Sequence, residues 1–124
     1  MGLMSGTSLD GIDVSIIQSD GKEDYSTELD RYFEYDRELI QKLLRIRGKI
    51  SNSADLNRYF DEIKDLEREV TLFHFKAVNE TIENFNSNID LIGLHGQTIF
   101  HDPNQKISIQ LGDGKLLSQL TKKK

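Results

Sequence analysis

Gly2-Leu3-Met4-Ser5-Gly6-Thr7-Ser8-Leu9-Asp10-Gly11-Ile12-Asp13-Val14-Ser15-Ile16-Ile17 is the stretch on which the fold turns. Gly2 to Met4 reads as a short strand, Ser5 to Asp10 as a polar turn and Ile12 to Ile17 as a returning strand, a β-hairpin start. In the return, Ile12, Val14 and Ile16 alternate with Asp13, Ser15 and Ile17. That period of two belongs to a strand with one face buried and the other partly polar. Asp20-Gly21 is the next turn signal, and Tyr25 to Tyr35 is expected to come back as a third antiparallel strand with Leu29, Tyr32 and Phe33 as its apolar content.

From Asp36 the period changes. Leu39, Ile40, Leu43, Leu44 and Ile46 recur at helical spacing, with Asp36 as the cap and Gly48 where the helix would end. A long helix is expected from Ser53 to Phe85, its stripe running through Leu56, Tyr59, Ile63, Leu66, Val70 and Phe73 to Ile82. Asp61, Lys64, Glu67, Arg68 and Lys76 mark its solvated face, and His74 reads as packing or surface. Beyond Asn84–Asn88, Ile89 to Leu94 reads as a buried strand, Ile99 and Phe100 as a second short one, and Ile107, Ile109 and Leu111 as a third. Leu116, Leu117 and Leu120 open a last helix.

The glycines divide the same way: four lie at or before position 21, four at or after position 93, and Gly48 alone between. Two glycine-rich, strand-forming ends thus flank a charged, helix-forming middle, a mixed α/β pattern. With 124 residues the chain holds one domain at most. A net charge of -5 excludes a sequence-independent grip on nucleic acid, and Lys122–Lys124 read as a solvated tail. No apolar stretch approaches the roughly 20 residues that span a membrane, so no membrane partner is expected. The absence of cysteine removes disulfides, thiolate chemistry and Cys-bound zinc, and suits a cytoplasmic setting.

Three polar constellations stand at strand ends. In Ser5–Asp13, two glycines and three hydroxyls expose amides and O–H donors of the type that cradles phosphate, and Asp10 or Asp13 could hold Mg²⁺ through water. An ordinary polar hairpin fits the same residues. His95-Gly96-Gln97-Thr98, followed by His101-Asp102-Pro103, is expected just past a buried strand, where polar groups enter a crevice. His95, Gln97 and Thr98 there suit a hydroxyl-rich or amide-bearing small molecule, while a His95/His101 metal site matches no common spacing. In Gln110-Leu111-Gly112-Asp113-Gly114, Asp113 can cap the next helix and can also accept from sugar hydroxyls.

Gly2–Asp13, Leu91–Pro103 and Gln110–Gly114, in that order and separation, closely resemble the anhydro-N-acetylmuramic acid kinase family over the whole chain. The resemblance implies a partial N-terminal lobe of an actin-like, Hsp70-like and sugar-kinase-like ATPase fold. It implies ATP and Mg²⁺ as cofactors and 1,6-anhydro-N-acetylmuramic acid as substrate. Family members hydrolytically open the anhydro ring and phosphorylate O6, giving N-acetylmuramic acid 6-phosphate in peptidoglycan recycling in the cytoplasm, and are often homodimers. By residue match, Gly6, Thr7, Ser8, Leu9, Asp10, Gly11, Ile12 and Asp13 correspond to the phosphate-binding segment, and His95, Gln97, Thr98 and Asp113 to the sugar side.

The family's general base is an aspartate in a motif beyond the Gly-Asp-Gly segment, and no residue here matches it. Met1 stands where family members have further residues of the first strand. The expectation is therefore a single incomplete N-terminal lobe over 1–124, with the C-terminal lobe absent and no kinase activity in the isolated chain. Alternatives are a non-catalytic remnant, a half complementing a separately encoded C-terminal half, or an interaction module using the long helix.

Overall fold

The computed structural model describes all residues 1–124. Strands β1 (Gly2–Ser5), β2 (Gly11–Ser19) and β3 (Tyr25–Glu34) are followed by helices α1 (Arg37–Lys49), α2 (Ser53–Arg58) and α3 (Phe60–Glu83). Strands β4 (Gly93–Asp102) and β5 (Ile107–Leu111) and helix α4 (Gly114–Thr121) complete the chain. They form one mixed five-stranded sheet in the order β3-β2-β1-β4-β5. β1 pairs antiparallel with β2 and parallel with β4; β2–β3 and β4–β5 are antiparallel.

The helices cover one face only. Leu3 of β1 and Ile12 and Val14 of β2 are buried toward them, in one apolar cluster with Leu39, Leu43 and Ile46 of α1, Ile63, Leu66, Val70 and Val78 of α3 and Leu117 of α4, and Ile16 of β2 is buried as well. The alternate residues Met4, Ile17 and Tyr32 are about half exposed on the other face. Period-two burial is what a strand packed on one side requires, and β2 carries it as its sequence predicts.

Both predicted caps form. Asp36 accepts from Leu39 N–H at 2.8 Å and Asp113 from Leu116 N–H at 2.9 Å. The single long helix does not. Tyr59 leaves helical geometry and divides it into α2 and α3, and the cap is Asn52 rather than Ser53, in a reciprocal box with Asp55. Ser53 donates instead to Gln105 Oε1 at 3.0 Å. Gly48 lies inside α1, because the turn out of the helix is fixed by burial of Ile50 and needs no left-handed glycine.

The largest departure is at β4. Ile89–Ile92 are outside the sheet, since β1 begins at Gly2 and its register gives Gly93 the first partner; a segment without a neighbour has no ladder. His95-Gly96-Gln97-Thr98 accordingly lies within a strand, not past its end, and Ile99 and Phe100 continue it. Gly96 absorbs the irregularity there at φ +77°. A Cβ at that position would stand 2.6 Å from Leu111 O, so only glycine fits the bulge.

Candidate functional site

The β1–β2 turn is assembled from its buried ends. Ser5 and Leu9 are essentially inaccessible, whereas Thr7, Ser8 and Asp10 are exposed. Leu9 is held at φ +63° with its side chain entirely in the core. A non-glycine residue in that region costs roughly 1–2 kcal/mol, offset here by burial of a leucine side chain. Gly11 closes the turn beneath β3, where a Cβ would come within 2.4 Å of Phe33 O.

Three of the turn's carbonyls are tied down, from β4, from α1 and from the end of β3. Gln97 Nε2 donates to Gly6 O at 2.7 Å, Arg47 Nη1 to Thr7 O at 2.8 Å and the Tyr35 amide to Asp10 O at 2.8 Å. Beneath them, Ser5 Oγ lies 3.2 Å from Tyr35 OH and 3.3 Å from His74 Nε2. The amides of Gly6 through Asp10 donate to no backbone or side-chain group. Inward-fixed carbonyls with spare amides are the arrangement that binds anionic oxygen. Ser8 Oγ donates to Asp10 Oδ1 at 2.6 Å, leaving Thr7 as the turn's free hydroxyl.

The three constellations converge on this turn. Gln97 joins the second to the first through Gly6, and Ser5 is its register partner. Gly112 packs on Gly96, so that a Cβ on Gly112 would lie 3.3 Å from Gly96 Cα, bringing the Gly-Asp-Gly segment beside the bulge. Asp113 is further fixed by its amide, which donates to Thr71 Oγ1 at 2.9 Å. On the face away from the helices, Asp13, Met4 and His95 line one shallow depression of about 440 Å³.

Each sugar-side candidate has a defined chemical state. His95 Nδ1 lies 2.8 Å from Gly96 O, which can only accept, so Nδ1 carries a proton and Nε2 is the ring nitrogen left without a partner. Gln97 is fully buried, and with Nε2 committed to Gly6 its Oε1 has no donor, a deficit that folded proteins rarely leave uncorrected. Thr98 is half-buried and pairs with Gln110. The side chains of Leu9 and Ile12 are wholly in the core, which restricts them to backbone contacts.

His101 is not part of the assembly. It lies six residues along β4 from His95, about 20 Å at strand rise, and no group of three or more His, Cys, Asp or Glu is placed to hold a metal. An open groove of about 630 Å³ between β3, α1 and α3 carries none of the motifs, and five carboxylates on its walls against Lys76 would repel phosphate. Four residues that hold the site escaped the sequence reading: Tyr35, Arg47, Thr71 and His74. Each is remote in sequence from the group it touches, and only the buried face of α3 hinted at two of them.

Comparison with known proteins gives a consistent result. The model of the family described as anhydro-N-acetylmuramic acid kinase matches residues 1–124. Among curated relatives, the anhydro-N-acetylmuramic acid kinase of Pelagibacter ubique is 52% identical over 123 residues, covering 99% of this chain and 33% of the relative. That of Rhizobium etli is 38% identical over 98% of the chain and 34% of its own length; that of Agrobacterium fabrum is 37% identical over 98% and 33%. The chain thus spans about a third of the length of the curated relatives it matches. No helix is long and apolar enough to cross a membrane.

Proposed function

The chain belongs to the anhydro-N-acetylmuramic acid kinase family, and from that premise we propose that its residues form the phosphate-side and part of the sugar-side wall of an ATP-dependent kinase acting on 1,6-anhydro-N-acetylmuramic acid. The observation that carries the reading is the turn at Gly6–Asp10, with its carbonyls bound inward and its amides without acceptors. Phosphoryl transfer asks mainly for positioning and neutralisation of phosphate charge, and spare amides beside the Arg47 guanidinium offer both. The strand order, with β1 and β4 parallel at its centre, supports reading the domain as the first lobe of an actin-like or sugar-kinase-like ATPase.

ATP fits this site through its phosphates: the Gly6–Asp10 amides and the Thr7 hydroxyl donate to phosphate oxygen. Mg²⁺ fits through Asp10 or Asp13, both exposed, since that ion takes few carboxylates and keeps much of its water. When bound, the metal neutralises charge on the phosphates as they are transferred. On the sugar side, His95 Nε2 and the Asp113 carboxylate are acceptors for hydroxyls, and the Gln97 Oε1 deficit is corrected by a ligand hydroxyl or bound water. No residue among the 124 matches the general-base aspartate that the resemblance implies. The base and the opposite wall of the cleft come from the remaining two-thirds of the enzyme's length, on this chain or a separate one. The setting is cytoplasmic, and the whole enzyme can be a homodimer.

The test is a phosphorus NMR assay on the purified 124-residue chain with Mg-ATP and the anhydro sugar, beside amide-shift mapping of the two ligands. Shifts confined to Gly6–Asp13 for Mg-ATP and to His95–Thr98 and Asp113 for the sugar, without product, support the reading. Robust ATP-dependent phosphorylation by this chain alone overturns the division of labour, and absence of both sets of shifts overturns the site.

A further inference from the structure

A buried chain of hydrogen bonds lies beneath the turn, and its direction follows from chemistry alone. Val70 O can only accept, so His74 Nδ1, 2.8 Å away, must carry a proton and donate to it. In the neutral ring Nε2 is then a lone pair, and Ser5 Oγ at 3.3 Å must donate to it. With its only proton used, Ser5 Oγ is an acceptor toward Tyr35 OH at 3.2 Å. The order Tyr35→Ser5→His74→Val70 is the one that satisfies every member. Ser5, His74 and Tyr35 are no more than 2% exposed. Burial holds the His74 imidazole neutral and pushes the Tyr35 phenol up to about 12, so the donors and acceptors keep these roles near neutral pH.

We infer that His74 and Tyr35 are positioning residues for the phosphate-binding turn, acting through the Ser5 hydroxyl; this rests on reading Gly6–Asp10 as that turn. Ser5 is the last residue of β1 and its Cα leads directly into Gly6. Fixing its side chain from α3 on one side and from the end of β3 on the other sets the direction in which the Gly6 and Thr7 amides leave the strand. Tyr35 holds the far end of the same turn, donating its own amide to Asp10 O. Its ring is in turn braced edge-on against Phe73 of α3, with centroids 4.9 Å apart. Both ends of the turn are therefore referenced to α3, which no motif in the sequence connects to it. The Ser5 hydroxyl, spent within the protein, is not a ligand donor.

The experiment uses the ¹⁵N-labelled chain, with Mg-ATP as the probe. Ring ¹⁵N shifts of His74 are expected to show a neutral Nδ1–H tautomer with Nε2 accepting; an Nε2–H tautomer overturns the relay whatever the turn binds. His74→Phe and Tyr35→Phe are expected to move the Gly6 and Thr7 amide resonances and to weaken Mg-ATP binding roughly tenfold, the loss of one positioned hydrogen bond. His74→Gln, whose amide oxygen can accept from Ser5, is expected to stay within about threefold of the parent. Val78→Ala, a fully buried α3 substitution outside the relay, lowers stability while leaving the Kd unchanged; an equal loss of affinity in that variant reduces His74 to general packing and overturns the inference. If the parent chain gives no Mg-ATP shifts, the phosphate reading fails by itself. The tautomer and the unliganded Gly6 and Thr7 resonances then still decide whether His74 and Tyr35 set the turn.

Discussion

Ser5–Asp10 and Ser19–Asp24 both join antiparallel strands, and both combine serine, glycine and aspartate in a polar hairpin. In the second turn the side chains serve the turn itself. Gly21 N–H donates to Ser19 Oγ, Lys22 and Asp24 N–H donate to Asp20 Oδ1, and the Asp20 amide donates to Asp24 O. The first turn does the reverse, with carbonyls bound by Gln97, Arg47 and Tyr35, residues from three other elements or their ends, and amides left over. Residue types thus do not separate a ligand cradle from a self-satisfied loop. What separates them is whether distant side chains fix the carbonyls, which frees the amides for something else.

That contrast can be broken by substitution. Leu9→Ala, which empties a fully buried site under the first turn, is expected to cost about 3 kcal/mol in urea unfolding, whereas Glu23→Ala in the exposed second turn stays within about 0.5 kcal/mol. Equal effects would mean that the first turn is no better anchored than the second. Next in size, Gly11→Ala drives a Cβ against Phe33 O and is expected to cost about 2–3 kcal/mol. Gly21→Ala meets no atom within 4 Å and bears only its positive φ, about 1 kcal/mol.

A pH titration sharpens the comparison from beneath the turn. Burial lowers the folded-state pKa of His74 below its ordinary 6.5, so the unfolded chain takes up the proton first. The unfolded state then binds more protons, and stability falls as pH drops below about 6.5 toward the folded value. His74→Gln is expected to lose that component of the pH dependence; an unchanged stability profile would place its origin elsewhere. The smallest expected effect is at the rim. Arg47→Ala leaves stability within about 0.5 kcal/mol, because the side chain is exposed, and weakens Mg-ATP binding roughly threefold by removing a positive charge beside the turn. An unchanged Kd restricts Arg47 to holding the Thr7 carbonyl.

Much of the fold was legible because local periodicity and burial agree. The alternation Ile12-Val14-Ile16 marks β2, the helical repeat from Leu39 to Ile46 marks α1, and Asp36 and Asp113 cap where their positions predict. Boundaries set by a neighbour were not legible. Ile89–Ile92 are as apolar as a strand but have no adjacent strand, and His95–Thr98 looks like a strand's end but continues alongside Ser5 and then Gln110–Leu111. The break at Tyr59 interrupts a stripe whose spacing is continuous in the sequence.

The sequence by itself determined the element types, the three polar constellations and, through their order and spacing, the family. These depend on residue identity within a few positions along the chain, where side-chain pattern and backbone preference act directly. Only the tertiary structure decided that Gln97 holds Gly6, that Gly112 lies on Gly96, and that His74 and Tyr35 meet at Ser5. Those contacts join residues 16 to 91 positions apart, bridged by tertiary packing rather than by any local preference.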